Sequence, residues 1–314
     1  MKNKMFDGRK INPVLDYYSS EKNEESAEIF AENRKSISIS GVQEKMSMVT
    51  DGNRLRLTEP GEQGRYILKP IPSDVKTADQ VPANEHLTMQ IAKLVYKINT
   101  AENALVFFKD GTPAYLTKRF DFRPDGKKWG KEDFASLAGR TSENAGSNYK
   151  YNLSYEELGG LIKKFVPAWR VEIEKYFRIV LFNYVFSNGD AHLKNFALLE
   201  SPTGDYMLSP FYDLLDTRLH VNDSDLALTK GLFFDDFKSD QYKRTGHPAL
   251  TDFTELGKRI GVNPKRIEKI TEPLTVKQEA VDLMIGNSLL SPKSKKAYML
   301  HYYTKLNYLN GTKP

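Results

Sequence analysis

An aspartate and an asparagine lie five residues apart directly after an apolar segment, and this spacing constrains the chain more than any other feature. Residues 170–186 have the pattern of a buried helix, and the polar loop after them contains Asp190 and Asn195. In phosphotransferases such an aspartate accepts the proton of the acceptor hydroxyl, and the asparagine binds a magnesium ion that the nucleotide phosphates also hold. A second acidic residue should follow on a short hairpin, and Asp213 closes the apolar segment 208–212. The three side chains therefore predict a site for metal binding and proton transfer.

Two more side chains of this loop fit the same chemistry. Lys194 is near enough to Asp190 to stabilise negative charge on a transferring phosphoryl group. We place His192 in the nucleotide pocket, where it would hydrogen-bond the loop backbone, because magnesium prefers oxygen ligands. An ordinary polar turn between a helix and a strand also accounts for the Asn-Gly-Asp sequence. Such a turn requires neither His192 nor Lys194, and it does not require an aspartate on the next hairpin.

Composition excludes several classes of protein. The chain has 314 residues and no cysteine, which excludes disulfide frameworks, thiolate nucleophiles and zinc sites with cysteine ligands. A net charge of +5 is too small, over this length, to indicate nucleic-acid binding by itself. Residues 1–10 lack the apolar core of a signal peptide, and the apolar run 179–186 is much shorter than a membrane span. We therefore expect a cytoplasmic protein with no membrane contact.

The order of predicted elements is strand-rich first and helical afterwards. Composition changes near residue 125, so we predict an N-terminal lobe of residues 1–125 and a helical C-terminal lobe of residues 126–314. This order predicts an α+β, bilobal, protein-kinase-like fold with the nucleotide in the cleft between the lobes. Alternation begins at residue 36 with Ile37 and Ile39, and it continues with Met46, Met48, Leu55 and Leu57 around a hairpin turn at residues 51–52. The further predicted strands are 66–70, 104–108, 114–116 and 196–199, and the predicted helices are 84–95, 155–166, 170–186, 250–260, 265–270, 276–285 and 294–309.

The N-terminal lobe carries candidate phosphate-binding residues. Ser38, Ser40 and Gly41 offer hydroxyl and backbone N–H groups to phosphate oxygens, although one glycine does not make a glycine-rich lid. Lys69 ends an apolar strand where a kinase keeps its phosphate-binding lysine, and Glu85 could form the ion pair that orients it. The alternatives are an alternating Ser/Ile strand, a solvated edge lysine, and a helix N-cap at residues 84–85.

Six short motifs occur in order along the chain. They are Ser-Ile-Ser-Gly-Val-Gln-Glu-Lys (38–45), Ile-Leu-Lys (67–69), Asn-Glu (84–85), Lys-Arg-Phe-Asp (118–121), Asn-Gly-Asp-Ala-His-Leu-Lys-Asn-Phe (188–196) and Tyr-Asp (212–213). Together they resemble the HipA family of bacterial serine/threonine kinase toxins, and they are closest to its short HipT type. The resemblance implies a HipA-like fold, ATP and Mg²⁺ as cofactors, Asp190 as the general base, Asn195 and Asp213 as magnesium ligands, and Lys69 as the phosphate lysine.

The resemblance also implies further roles for named residues. Ser38 corresponds to the serine that family members autophosphorylate, and Ser40 is a second hydroxyl beside it. Phosphate on Ser38 would repel the nucleotide phosphates and inactivate the enzyme. The remaining residues that the resemblance assigns to ATP binding are Val42 of the phosphate-binding loop and Lys118, Arg119 and Phe120 at the nucleotide hinge.

Partners and substrates follow from the same resemblance. Relatives of full length carry an extra N-terminal subdomain, and in the short HipT type a separate protein, HipS, supplies it and acts as antitoxin. HipB is the DNA-binding antitoxin, so DNA contact would be indirect. The implied substrate is an aminoacyl-tRNA synthetase, with the tryptophanyl enzyme favoured over the glutamyl enzyme.

Two other functions stay open on the sequence. A small-molecule kinase of the aminoglycoside or choline type has a similar Asp-x-x-x-x-Asn loop. Residues 252–270 resemble a helix-turn-helix with Gly261 in its turn and a basic second helix, which a DNA-binding regulator could use.

Overall fold

The computed structural model describes residues 4–19 and 44–311. The start of the predicted alternation, at residues 36–39, and the phosphate-binding residues Ser38, Ser40, Gly41 and Val42 lie outside the described residues.

The N-terminal part is built on an antiparallel five-stranded sheet with the strand order β2-β1-β3-β5-β4. Its first hairpin turns at Gly52, whose φ of +57° suits a glycine in a tight turn. Met46 and Met48 alternate with more exposed residues, so one face of the sheet is buried. The strands are β1 (Met46–Asp51), β2 (Arg54–Leu57), β3 (Tyr66–Lys69), β4 (Asn103–Phe107) and β5 (Pro113–Lys118).

Helix α1 (Val81–Leu94) connects β3 to β4 and begins three residues before its predicted start. Pro82 lies in the first turn, where the missing N–H is not needed for a helical hydrogen bond. Leu87, Met89 and Ile91 of this helix belong to the large hydrophobic core of the helical part. The helix is thereby fixed to the C-terminal part of the molecule as well as to the sheet.

The C-terminal part is mainly helical, as the sequence predicts. Helix α8 (Pro264–Thr275) is longer than its predicted range of 265–270 and continues past the internal Pro273. Three helices of four to six residues escaped prediction because so few residues show no helical period. The helices are α2 (Phe134–Leu137), α3 (Ser142–Ala145), α4 (Tyr155–Phe165), α5 (Trp169–Val185), α6 (Asp240–Thr245), α7 (Leu250–Arg259), α8 (Pro264–Thr275), α9 (Glu279–Gly286) and α10 (Pro292–Asn310).

A second, three-stranded antiparallel sheet supports the predicted catalytic loop. It consists of β6 (Lys131–Asp133), β7 (Ala197–Glu200) and β8 (Tyr206–Leu208), with β7 in the centre. The β7–β8 hairpin was predicted, and β6 was not, because it has three residues and no apolar alternation. This hairpin lies between Asn195 and Asp213 in the sequence, and its turn brings Asp213 back beside Asn195.

The predicted helix-turn-helix consists of α7, a turn at Gly261 and α8, and the pair packs against the interior. Gly257 lies so close to Ile267 that an added Cβ would approach Ile267 Cδ1 to 2.8 Å. Arg266 forms an ion pair with Glu174 of α5, at 2.6 Å. Because Arg266 is paired within the chain, the geometry favours a packing role for this unit over a DNA-binding one.

Two hydrophobic clusters are present in the described ranges. The smaller one lies on the N-terminal sheet and includes Met5, Phe6 and Leu15, and the larger one occupies the helical part. The lobe boundary near residue 125 stays a prediction. No helix within residues 4–19 and 44–311 is long and apolar enough to cross a membrane.

Candidate active site

Three distant parts of the chain meet at a buried ion cluster. Lys69 ends β3, Glu85 lies in the second turn of α1, and Asp213 follows β8. The ammonium Nζ of Lys69 donates to Glu85 Oε1 at 2.7 Å and to Asp213 Oδ1 at 2.5 Å. The Lys69 side chain is only 5% exposed, so this lysine is not the solvated edge residue that its strand position alone suggests. The predicted pair of Lys69 and Glu85 therefore forms, and Asp213 joins it.

Burial and charge move the pKa values of the three groups in different directions. Burial alone would lower the pKa of Lys69, but the charges of Asp213 and Glu85 raise it above its usual value. Burial raises the pKa of Glu85 to about 6 against the opposing effect of Lys69. Burial would also raise the pKa of Asp213, but Lys69 and Lys45 hold it below its usual range. Lys69 and Asp213 are therefore charged at neutral pH.

Asn195 and Asp213 lie side by side, as a shared metal requires. Asn195 Nδ2 is 3.3 Å from Asp213 Oδ2. Asn195 ends the short 3₁₀ turn Leu193–Asn195, and its Oδ1 accepts a hydrogen bond from the N–H of His192 at 3.1 Å. Asp213 has a φ of +56°, a left-handed conformation that is uncommon for a residue with a Cβ and is typical of functional sites.

The amide of Asn195 and the carboxylate of Asp213 fit Mg²⁺ as groups that could hold it once the amide turns over, because Nδ2 now faces Asp213 and Oδ1 accepts from the N–H of His192. Amide and carboxylate oxygens are the ligands that magnesium prefers, and magnesium sites of nucleotide enzymes use one or two protein groups together with phosphates. No group of three or more His, Cys, Asp or Glu side chains with metal-binding spacing occurs in the described ranges. A metal here would therefore take its remaining ligands from phosphate oxygens and water.

Asp190 is at the open side of this cluster, with its side chain 48% exposed. Its Oδ1 accepts a hydrogen bond from the hydroxyl of Tyr151 at 2.7 Å. Its Oδ2 is 3.9 Å from His192 Nε2, beyond hydrogen-bonding distance. An accessible carboxylate is what a general base for an external hydroxyl requires.

His192 lies behind Asp190 and is largely buried. Burial lowers the pKa of His192 to about 4, although the charge of Asp190 opposes this shift. The imidazole is therefore neutral at pH 7. Its Nδ1 has no hydrogen-bond partner among the residues that the structure describes.

Polar contacts couple the Asp190 loop to the segment that carries Asp213. Asn188 Nδ2 donates to the carbonyl of Asp213 at 3.2 Å, and the N–H of Gly189 donates to Thr217 Oγ1 at 2.9 Å. Asn84 of α1 is also linked to this segment, because its Nδ2 donates to the carbonyl of Asp216 at 2.8 Å. Asn84 is thus a buried tether within the helix and not the N-cap that its sequence position allows.

Close packing between the loop of Asp190 and the loop of Asp223 and Ser224 requires a glycine at position 189. A Cβ at this position would lie 2.5 Å from Asp223 Cβ and 2.6 Å from the carbonyl of Ser224. We expect Gly189→Ala to lower the free energy of unfolding by about 1–3 kcal/mol and to displace Asp190. Urea unfolding and phosphate-transfer rates would measure the two effects.

Gly160→Ala is the matched control for this prediction. Gly160 lies within α4, is exposed, and has no atom within 4 Å of an added Cβ. Alanine there should stabilise the protein by about 0.5–1 kcal/mol through helix propensity. If Gly189→Ala were as stable and active as the wild type, the close packing of the two loops would be contradicted.

The remaining predicted site residues have contacts of different kinds. Lys194 Nζ donates a hydrogen bond to the hydroxyl of Tyr149 at 3.4 Å and not to Asp190. Arg119 forms an ion pair with Asp121, at 2.5 Å. The ring of Phe120 lies 5.7 Å from that of Tyr212, the neighbour of Asp213, which places the predicted hinge next to the segment that carries Asp213.

Lys118 is on the opposite side of the sheet from Lys69. Lys69 pairs with Tyr115 on β5, and side chains alternate between faces along a strand, so Lys118 points with Leu116 to the other face. There its Nζ donates to Asp7 Oδ1 at 2.5 Å. The structure therefore does not bring the side chain of Lys118 together with that of Lys69.

Several residues of the site gave no signal in the sequence. Tyr149 and Tyr151 form a 3₁₀ turn beside the catalytic loop, and isolated tyrosines in a loop are indistinguishable from packing residues. Tyr212 belongs to the Tyr-Asp motif, and its hydroxyl donates to the carbonyl of Lys194 at 2.9 Å. This bond ties the segment that carries Asp213 to the loop that carries Asp190.

Comparison with known proteins identifies a family and a fold. Residues 37–282 match the family model described as the HipA-like C-terminal domain. A Haemophilus influenzae protein named "Putative kinase" is 24% identical and the match covers 97% of this chain and 90% of that protein. "Putative kinase Y4dM" of Sinorhizobium fredii is 30% identical over 62% of this chain, which spans 48% of that protein.

Two solved structures have a similar fold. One is HipA in the Shewanella oneidensis complex of HipA, HipB and operator DNA, with a TM-score of 0.63, 20% identity, and coverage of 88% of this chain and 66% of that chain. The other is the Helicobacter pylori proinflammatory kinase CtkA, with a TM-score of 0.54, 16% identity, and coverage of 83% of this chain and 93% of that chain. These similarities confirm the predicted α+β, HipA-like fold class.

Proposed function

The chain belongs to the family that has a HipA-like C-terminal domain, and from this premise we propose that it is an ATP- and Mg²⁺-dependent serine/threonine protein kinase. The observation that carries the proposal is the convergence of Lys69, Glu85 and Asp213 beside Asn195, with Asp190 on the same loop as Asn195. Relatives named as kinases support the same reaction class.

Each residue has a role in that reaction. Lys69, held by Glu85, would neutralise nucleotide phosphates, and Asn195 and Asp213 would hold the magnesium ion. Bound magnesium would neutralise charge that develops on the phosphoryl group. Asp190 would accept the proton of the acceptor hydroxyl as that oxygen bonds to phosphorus and ADP leaves. Positioning and charge neutralisation supply most of the rate in such transfers.

The biological role that we propose is that of a toxin of the HipT type, acting in the cytoplasm. Its substrate would be a serine of an aminoacyl-tRNA synthetase, tryptophanyl first and glutamyl second, and its antitoxins would be of the HipS and HipB types. The similar Shewanella protein assembles with HipB and operator DNA, which supports a toxin–antitoxin setting. We also propose that the chain autophosphorylates at Ser38 and Ser40. Its two lobes would be residues 1–125 and residues 126–314.

One labelling experiment tests the substrate. The purified chain, γ-labelled ATP, Mg²⁺ and a bacterial lysate are incubated together, and the labelled products are identified by mass spectrometry. We expect phosphoserine on an aminoacyl-tRNA synthetase and on Ser38 or Ser40, and no label when the metal is chelated. Label on a small molecule and on no protein would contradict the protein-kinase proposal and favour a small-molecule kinase.

A further inference from the structure

We propose that Tyr151 is a positioning residue that fixes the carboxylate of Asp190 for proton transfer, an inference that rests on the proposed function. A general base must present one defined oxygen to the acceptor hydroxyl, because small displacements in such contacts cost large factors in rate. The side chain of Asp190 is 48% exposed, so packing alone does not fix its carboxylate and a hydrogen-bond partner is needed to hold it.

Tyr151 provides the hydrogen bond that restrains this carboxylate. Its hydroxyl donates to Asp190 Oδ1 at 2.7 Å. Throughout residues 4–19 and 44–311 no other side chain forms a hydrogen bond with the Asp190 carboxylate, because His192 Nε2 is 3.9 Å from Oδ2. Burial and the charge of Asp190 raise the pKa of Tyr151, so the phenol keeps its proton and stays a donor.

Tyr151 is itself held in place, which a positioning role requires. Its carbonyl accepts hydrogen bonds from the N–H of Thr229 at 2.9 Å and from Thr229 Oγ1 at 3.1 Å. Its ring meets the His192 ring edge-on, with 5.3 Å between centroids. The phenol therefore cannot follow the carboxylate if Asp190 rotates, and the hydrogen bond selects one orientation.

This orientation assigns different tasks to the two carboxylate oxygens. Oδ1 is occupied by the phenol, so Oδ2 is left to take the proton of the acceptor hydroxyl while that oxygen bonds to the γ-phosphorus and the bond to ADP breaks. His192 does not compete for Oδ2, because it is beyond hydrogen-bonding distance. A phenol that instead blocked the incoming acceptor would make Tyr151→Phe faster than the wild type, so the sign of the effect separates the two roles.

The test compares Tyr151→Phe with Tyr303→Phe in the full chain. Tyr303→Phe is a matched control, because it removes a tyrosine–aspartate hydrogen bond of 2.6 Å, to Asp282, away from the catalytic loop. Transfer from γ-labelled ATP to the chain itself gives kcat and the KM for ATP. We expect kcat to fall about tenfold to a hundredfold in Tyr151→Phe, the size of a hydrogen bond to a charged group, with an unchanged KM for ATP. Tyr303→Phe should retain the wild-type kcat.

A double-variant cycle shows whether Tyr151 acts through Asp190. If it does, Tyr151→Phe lowers the rate of the wild type but not the residual rate of Asp190→Asn. An unchanged or increased kcat in Tyr151→Phe, or an equal further loss in the Asp190→Asn background, would overturn the inference. A wild-type chain that transfers no phosphate would instead overturn the proposed function, so the two failures are distinguishable.

Discussion

Asp190→Asn is expected to lower the rate of phosphate transfer by about 10²- to 10⁴-fold, the usual contribution of a general base. The amide has the shape of the carboxylate and can still accept the hydrogen bond from Tyr151, but it cannot take the proton of the acceptor. Nucleotide binding should persist, because Lys69, Asn195 and Asp213 are unchanged. Single-turnover transfer from γ-labelled ATP and a separate measurement of ATP binding would quantify the two effects.

Asp205→Asn is the control for this prediction. Asp205 is an exposed carboxylate in the turn between β7 and β8, so its neutralisation alters the net charge equally without touching the site. Its transfer rate should equal that of the wild type. If Asp190→Asn transferred phosphate at the wild-type rate, the assignment of the base would be wrong.

Lys69→Met is expected to destabilise the protein by about 3–5 kcal/mol and to abolish transfer, because it removes the cation from a buried cluster. The variant leaves Glu85, which is 2% exposed, and Asp213 without their ammonium partner. Chemical unfolding would measure the stability and label transfer the activity. Lys269→Met, which removes an exposed lysine of α8, should change neither.

A second substitution separates the structural and chemical roles of Lys69. Adding Glu85→Gln to Lys69→Met removes one of the two unpaired carboxylates, so most of the lost stability should return. Transfer should not return, since the phosphates would still lack their lysine. If the double variant were as unstable as Lys69→Met, an unpaired charge would not be the cause of the instability.

The instability of Lys69→Met should depend on pH in a defined direction. In the wild type Lys69 opposes the rise in the pKa of Glu85, which burial already raises to about 6 from the usual 4.5. Without Lys69 this pKa should rise further, so the folded variant binds more protons than the unfolded chain. The free energy of unfolding of Lys69→Met should therefore fall as the pH rises from about 4.5 through this raised pKa. A variant that is more stable at pH 8 than at pH 5 would contradict this sign.

Features that depend on short stretches of sequence were predictable. The spacing of Asp190 and Asn195 after an apolar helix, and the hairpin that returns Asp213, are local patterns that the structure brings together. The strand order could not be read in the same way, because pairing of β3 with β5 depends on contacts between distant residues. The strand that ends at Lys69 was predictable, but the burial of Lys69 depends on the position of α1.

Other residues of the site could not be predicted, for physical reasons. Tyr151 reaches Asp190 across 39 residues, and nothing in the residues around Tyr151 indicates that contact. Lys118 ends β5 directly before Arg119 and Phe120, but strand alternation turns its side chain towards Asp7 on the other face of the sheet. Asn84 resembled a helix cap because Pro82, two residues before it, indicated that the helix begins after the proline and not at Val81.

The most direct test of the central claim is the intact mass of the purified wild-type chain after incubation with ATP and Mg²⁺. The account predicts that phosphate is added to the chain when magnesium is present, that the addition stops when magnesium is chelated, and that Asp190→Asn gains phosphate about 10²- to 10⁴-fold more slowly. Absence of phosphate on the wild-type chain, together with no formation of ADP and no labelled protein in a lysate, would contradict a phosphotransferase site built on Asp190, Asn195 and Asp213.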